Sequence, residues 1–302
     1  MDRRILYFLN PVAGAQKKPS PESVIAEETR KAKIDFEFAL TNESGIYPDL
    51  AEKIRKEKFT DVVICGGDGS VSQVVSSLLN VDINIGIIPR GSGNGLALAA
   101  KIPKDIHKAL SLIFNGKASY VDGFFINEKF SCMLCGLGFD AQVAHDFAKQ
   151  PKRGLSTYIQ QTILNFIKAS PYAFDLSIKD KTFSTQAFFI SIANGNQFGN
   201  NFKIAPKAAL DDGLIDIIVV NKMSKTRLLW SIVKHLLSGK VSHHDERHFH
   251  KKEVVYFQAD KVLINNLSNA PLHIDGDPVE THSTFEIHVF PAAFKLIRPE
   301  PG

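Results

Sequence analysis

The stretch ICGGDGSVSQVV, Ile64 to Val75, places three glycines and an aspartate where a strand should turn into a helix. Thr60 to Gly67 is short, apolar and rich in β-branched residues, which predicts a buried strand. Ser70 to Leu79 puts Val71, Val74, Val75, Leu78 and Leu79 on one helical face, with Ser70 as the expected cap. One glycine suffices for a tight strand-to-helix turn. Three at one corner (Gly66, Gly67 and Gly69) point to a ligand lying against bare backbone, and the amides that open a helix suit a phosphate.

The same corner recurs. Strand and helix alternate through the first 122 residues: strands at Ile5–Leu9, Ile34–Leu40, before Gly66 and at Ile83–Ile88, helices at Pro21–Lys33, Tyr47–Glu57 and Lys104–Asn115. This is the pattern of a doubly wound parallel α/β domain, whose ligands bind at the carboxyl ends of the strands. NPVAG (Asn10–Gly14), GGDGS (Gly66–Ser70) and PRGSGNGLALA (Pro89–Ala99) each follow a strand, so all three loops are expected at one sheet edge. Gly91, Gly93 and Gly95 alternate in the third loop, where Ser92 and Asn94 offer hydrogen bonds. No stretch fits G-x-x-x-x-G-K-[ST], which excludes a Walker-type nucleotidase.

After Asp122 the texture changes to strands separated by turn signals, which predicts a second, largely antiparallel domain over residues 123–289. Helices are expected there only at Ser156–Ala169 and Lys225–Leu237. A cleft between the two domains is the expected active site. GLGFDA (Gly136–Ala141) fits a dinucleotide-binding pattern, but no acid occurs between Phe147 and Phe174, so its glycines are read as a bend.

Two acidic turns could carry chemistry. APKAALDDGLID (Ala205–Asp216) sets Asp211, Asp212 and Asp216 around Gly213, which is either a solvated turn or a magnesium site. HIDGDPVE (His273–Glu280) sets Asp275 and Asp277 across a glycine, which is either a hairpin turn or a carboxylate that takes a proton from a hydroxyl.

Bulk properties narrow the class. Hydrophobic residues make up 44% and charged residues 23% of 302, the balance of a soluble globular chain. A net charge of +4 gives no ground for nucleic-acid binding. Cys65, Cys132 and Cys135 sit in apolar contexts, consistent with a reduced, cytoplasmic interior. HHDERHFHKK (His243–Lys252) reads as a solvated linker. Its basic residues join Lys234 and Lys240 in a cluster that is either plain surface or a seat on anionic lipid at the inner membrane face.

Taken in order, these motifs, with Thr41 in ALTNESG and Asp122 in YVDG, make the chain resemble the diacylglycerol kinase catalytic-domain family, which includes bacterial lipid kinases and the sphingosine and ceramide kinases. The resemblance implies an α/β ATP-binding domain and a β-sandwich domain for the lipid substrate, with residues 290–302 returning to the first. It implies that Asn10, Pro11, Gly14, Thr41, Gly66, Gly67, Asp68, Gly69, Ser70, Gly91, Ser92, Gly93 and Asn94 line the ATP site. Asp212 would face magnesium, with the carbonyls of Ala209 and Leu214, and Asp68 and Asp122 would join that network. The family's Asp-Gly-Glu, credited with the general base, reads Asp275-Gly276-Asp277 here, so Asp277 is one methylene shorter and Asp275 is the backup. Ser72 and Gln73 replace the more usual Asn-Glu, and GSGNGLA is closer to the sphingosine-kinase branch than to GTGND.

The leading expectation is an ATP- and magnesium-dependent lipid kinase that phosphorylates a diacylglycerol or sphingoid-type hydroxyl. Its rival is a nucleotide-responsive lipid-binding protein with little or no kinase activity. A phosphofructokinase or NAD kinase would show TIDND or NTDG, and neither string is present. The lipid headgroup is not specified, and the oligomeric state stays open, a homodimer being one option.

Overall fold

The structure, a computed structural model, describes residues 3–13, 21–150, 160–162, 164–165, 168–179, 181–197, 205, 207–224, 226–227 and 253–300. The His243–Lys252 segment, all but Thr226 and Arg227 of the expected helix at Lys225–Leu237, half of Ser156–Ala169 and Gly14 lie outside these residues; within Ser156–Ala169 the described Gln160, Gln161, Thr162, Leu164, Asn165 and Lys168 are helical. The chain divides into two compact units, Met1–Asp122 with Pro291–Gly302, and Gly123–Phe290.

The first unit runs β1 (Arg4–Leu9), α1 (Pro21–Lys31), β2 (Asp35–Leu40), α2 (Leu50–Glu57), β3 (Asp61–Gly66), α3 (Asp68–Ser76), β4 (Asn84–Pro89), α4 (Gly95–Ala99), α5 (Ile106–Asn115) and the start of β5 (Lys117–Ile126). Its strands pair in parallel in the order β4-β3-β1-β2. β1 and β3 lie inside the sheet, and Ile5, Leu6, Tyr7, Val62, Val63 and Ile64 are wholly buried, which explains why those stretches read as unbroken apolar runs. Ile25 of α1 and Ala109, Leu110 and Ile113 of α5 pack on the sheet in one cluster with Ile5, Tyr7 and Val63.

Helix starts follow local chemistry. Asp105 caps α5 by accepting the Lys108 amide at 3.0 Å. At the glycine corner the structure differs from the sequence expectation. α3 begins at Asp68 with extended Gly67 as its N-cap, two residues before Ser70, which lies inside the helix and does not cap it.

The second unit contains the end of β5, then β6 (Lys129–Ser131), β7 (Leu134–Gly138), α6 (Phe139–Ala148), β8 (Tyr172–Ile178), β9 (Lys181–Ala193), β10 (Ile215–Asn221), β11 (Val254–Ala259), β12 (Lys261–Asn266), β13 (Leu272–Ile274), β14 (Asp277–Val279) and the start of β15 (Thr284–Arg298). Its pairings are antiparallel, and β9 organises them. The first half of β9 pairs with β8, which continues to β12 and β15. Its second half pairs with β7 and β10, which continue to β13 and β11. The two arms turn alternate residues inward, Phe174, Leu176, Val262, Ile264, Phe285 and Ile287 from one and Cys135, Leu137, Ile190, Ile192, Ile217 and Phe257 from the other, into a single buried cluster. That is a β-sandwich core. α6 was not expected. Gly138, at φ 99°, turns β7 into it, so GLGFDA is a strand-to-helix junction and not merely a bend between strands.

β15 carries the chain back. In the first unit its last residues add a parallel strand beside β4, with Lys295 opposite Asn84 and Leu296 opposite Ile85. Among the described residues no helix is long and apolar enough to cross a membrane.

Candidate active site

Within the first unit the loops after β1, β3 and β4 meet. The Asn10 side-chain amide donates to Ser70 Oγ at 2.8 Å, tying the β1 loop to the first turn of α3. Asn10 also donates its backbone amide to the Cys65 carbonyl at 3.0 Å. Gly67 and Gly91 lie backbone to backbone: a Cβ on Gly91 would stand 2.6 Å from the Gly67 Cα. Glycine at 91 is therefore required by the Gly67 backbone, whatever else the loop admits. Asn94, in the left-handed region at φ 52°, accepts the Gly91 amide through Oδ1 and returns its own side-chain amide to the Gly91 carbonyl, both at 2.7 Å.

Asp68 has a structural task that sequence reasoning missed. Its two carboxylate oxygens accept the Gly95 and Leu96 amides at 2.8 and 3.0 Å, so it caps α4 from 27 residues away. Gly69 lies in the first turn of α3, and Ser92 and Gly93 fill the loop between Gly91 and Asn94. Thr41 follows β2 and donates its amide to the Leu9 carbonyl at 3.0 Å, beside the β1 loop. Pro11 is exposed on that loop. Asp122 is buried midway along β5 and accepts the Ala292 amide at 2.8 Å.

Within the second unit the acidic turn before β10 bends at Gly213, φ 71°. Asp212 is exposed and accepts the Leu214 amide at 3.1 Å. Ala209 and Leu214 lie on the same turn, and among the described residues no group of three or more His, Cys, Asp or Glu is placed to hold a metal ion. Asp216, at the start of β10, is wholly buried. Burial pushes its carboxyl up to about 6, although the Tyr256 hydroxyl donates to it.

Asp275 and Gly276, at φ 52° and 87°, form the two-residue turn between β13 and β14, with Ile274 opposite Asp277. Asp275 Oδ1 accepts Ser131 Oγ at 2.9 Å and the Leu134 amide at 3.0 Å. Asp277 follows the turn on the exposed edge strand. His273 and Asp140 are a buried pair, with His273 Nε2 3.4 Å from Asp140 Oδ2. The Asp-Gly dipeptide was a readable signal for the turn. Nothing local marked the pair.

Glycine-rich loops at one edge of a parallel sheet in the first unit, and an antiparallel sandwich in the second, define the architecture of diacylglycerol-kinase-like phosphotransferases. A solved diacylglycerol kinase of Bacillus anthracis superposes with a TM-score of 0.72 over 99% of this chain and 97% of its own, at 18% identity. The chain belongs to the diacylglycerol kinase catalytic-domain family. Residues 4–126 match the diacylglycerol kinase catalytic domain, and residues 134–298 match the YegS C-terminal NAD kinase beta sandwich-like domain. The diacylglycerol kinase of Bacillus subtilis is 24% identical over 279 residues, covering 91% of this chain and 89% of its own. A protein of Chromohalobacter salexigens named "Probable lipid kinase YegS-like" is 27% identical over 277 residues, covering 90% of this chain and 86% of its own.

Proposed function

We propose that this lipid-kinase-family protein transfers the γ-phosphoryl group of ATP to a primary hydroxyl of a lipid of the diacylglycerol or sphingoid type, with magnesium. The observation that supports this most is the meeting of the β1, β3 and β4 loops at one sheet edge, where Asn10 holds Ser70 and Gly67 abuts Gly91. Such a rim offers backbone amides and the start of α3 to a polyphosphate.

Phosphoryl transfer asks the protein mainly for alignment and charge compensation. Gly66 to Ser70 and Gly91 to Asn94 hold the phosphates, and Asn10, Pro11, Gly14 and Thr41 complete the nucleotide site. Asp212 and the carbonyls of Ala209 and Leu214 would hold the metal. Bound magnesium would spread the charge of the transferring group. Asp277 takes the proton of the acceptor hydroxyl. Asp275 is the weaker candidate for that role, because its Oδ1 is already engaged by Ser131 and Leu134.

A coupled ADP-release assay against diacylglycerols, sphingoid bases and crude lipid extract, with and without magnesium, tests the reading. Lipid-stimulated release that needs magnesium, and that Asp212→Ala removes, supports it. Nucleotide and lipid binding with no lipid-stimulated release supports a binding protein in its place.

A further inference from the structure

We infer that His273, held by Asp140, is a positioning residue for Asp277, acting through the Asp275–Gly276 turn; this rests on the reading of Asp277 as the proton acceptor. The turn is two residues long with both φ values positive, so its shape is set by its backbone and by what grips it. One grip is Asp275, whose amide donates to the Leu134 carbonyl at 2.8 Å while Oδ1 accepts Ser131 Oγ and the Leu134 amide. The other is His273, whose Nδ1 accepts the Gly276 amide at 3.3 Å.

An imidazole nitrogen that accepts an amide carries no proton, so the ring hydrogen sits on Nε2. Nε2 faces Asp140 Oδ2 at 3.4 Å. The carboxylate therefore selects the tautomer that leaves Nδ1 free to hold Gly276. Both side chains are buried, at 3% and 7% exposure, so the pair is shielded from exchange with water. Asp140 is fixed in turn at the start of α6, where Oδ1 accepts the Ala141 amide at 2.8 Å.

The fold reserves space for this pair. Gly136 lies opposite His273 in the β7–β13 ladder. A Cβ there would stand 2.5 Å from His273 Nε2 and closer still to Asp140 Oδ2. The first glycine of GLGFDA thus serves the hairpin that carries Asp277, 141 positions on, and not a nucleotide. Asp277 is one residue beyond Gly276, so a turn released from His273 lets its carboxylate wander, and displacement of about 1 Å at a reacting group can cost up to about 100-fold in rate.

Two substitutions separate the two bonds. His273→Asn puts Oδ1 where Nδ1 was, keeping the acceptor for Gly276 and dropping the contact with Asp140. His273→Gln puts its amide nitrogen where Nε2 was, keeping Asp140 and losing Gly276. Each is compared with wild type and Asp277→Asn for kcat, KM for ATP and Tm, using ATP and mixed micelles of dioleoylglycerol, sphingosine and crude lipid extract. The expected result is a kcat reduced about tenfold or more in His273→Gln, with KM for ATP unchanged, and largely restored in His273→Asn. Wild-type kcat in His273→Gln beside an inactive Asp277→Asn overturns the positioning role alone. So does an equal loss in both variants that tracks a fall in Tm, since that marks a packing role. Wild-type kcat in Asp277→Asn overturns the base assignment itself.

Discussion

Gly67 and Gly91 touch through their backbones, one from the loop after β3 and the other from the loop after β4. A Cβ at 91 would meet the Gly67 Cα at 2.6 Å and Asn94 Oδ1 at 3.0 Å, whereas a Cβ at 67 would meet the Gly91 Cα at 3.1 Å. The contact is thus asymmetric in its tolerance. Gly91→Ala forces two backbone segments apart and should cost roughly 1–3 kcal/mol, the usual range for an overpacked site. Gly67→Ala should cost less, since only a small shift relieves it. Thermal melts of the two variants check the order, and KM for ATP should rise more in Gly91→Ala.

Asp68 joins α3 to α4 through two amide bonds, which gives it a measurable duty besides any part in the metal network. Asp68→Ala should destabilise the protein by about 1–2 kcal/mol, the worth of a good helix cap. Asp68→Asn keeps one acceptor oxygen and removes the charge, so it should recover part of that loss. Urea denaturation measures both. Equal stability of Asp68→Ala and wild type would contradict the capping role.

The three cysteines are free and buried, which predicts silence toward thiol reagents until the protein unfolds. Burial pushes the Cys65 thiol from its ordinary 9.0 up to about 11, with nearby Arg90 opposing weakly. The folded state therefore holds this proton more tightly than the unfolded chain. Its contribution to stability is complete below about pH 9 and is lost as pH rises to about 11, by at most about 3 kcal/mol. Cys65→Ala should flatten the fall in stability across that window. Urea midpoints at pH 8 and pH 10.5 in both proteins measure the difference.

Much of this architecture is visible in the sequence because it is local. β1 and β3 are unbroken apolar runs, and the glycine loops follow them directly, so their gathering at one edge of a parallel sheet could be anticipated. What the glycines do there was less legible. Gly67 answers to Gly91, and Asp68 answers to Gly95 and Leu96, partners set by how β3 and β4 pair and not by spacing along the chain. Ser70 looked like a cap because serine favours that position, but the helix starts two residues earlier and the hydroxyl accepts Asn10. α6 was missed because Gly136 and Gly138 broke the apolar pattern where β7 passes into it. Asp140 and His273 are 133 residues apart, and only the β7–β13 pairing brings them together.

The central claim is that phosphoryl transfer ends on a lipid. Incubation with [γ-32P]ATP, magnesium and the diacylglycerol, sphingoid-base and crude-extract panel, followed by organic extraction, follows the label directly. Radioactivity is expected in a new organic-phase species, reduced about 100- to 10,000-fold in Asp277→Ala, the usual range for a lost general base. Label that stays in the aqueous phase for every lipid offered, in a protein that still binds ATP, would contradict it.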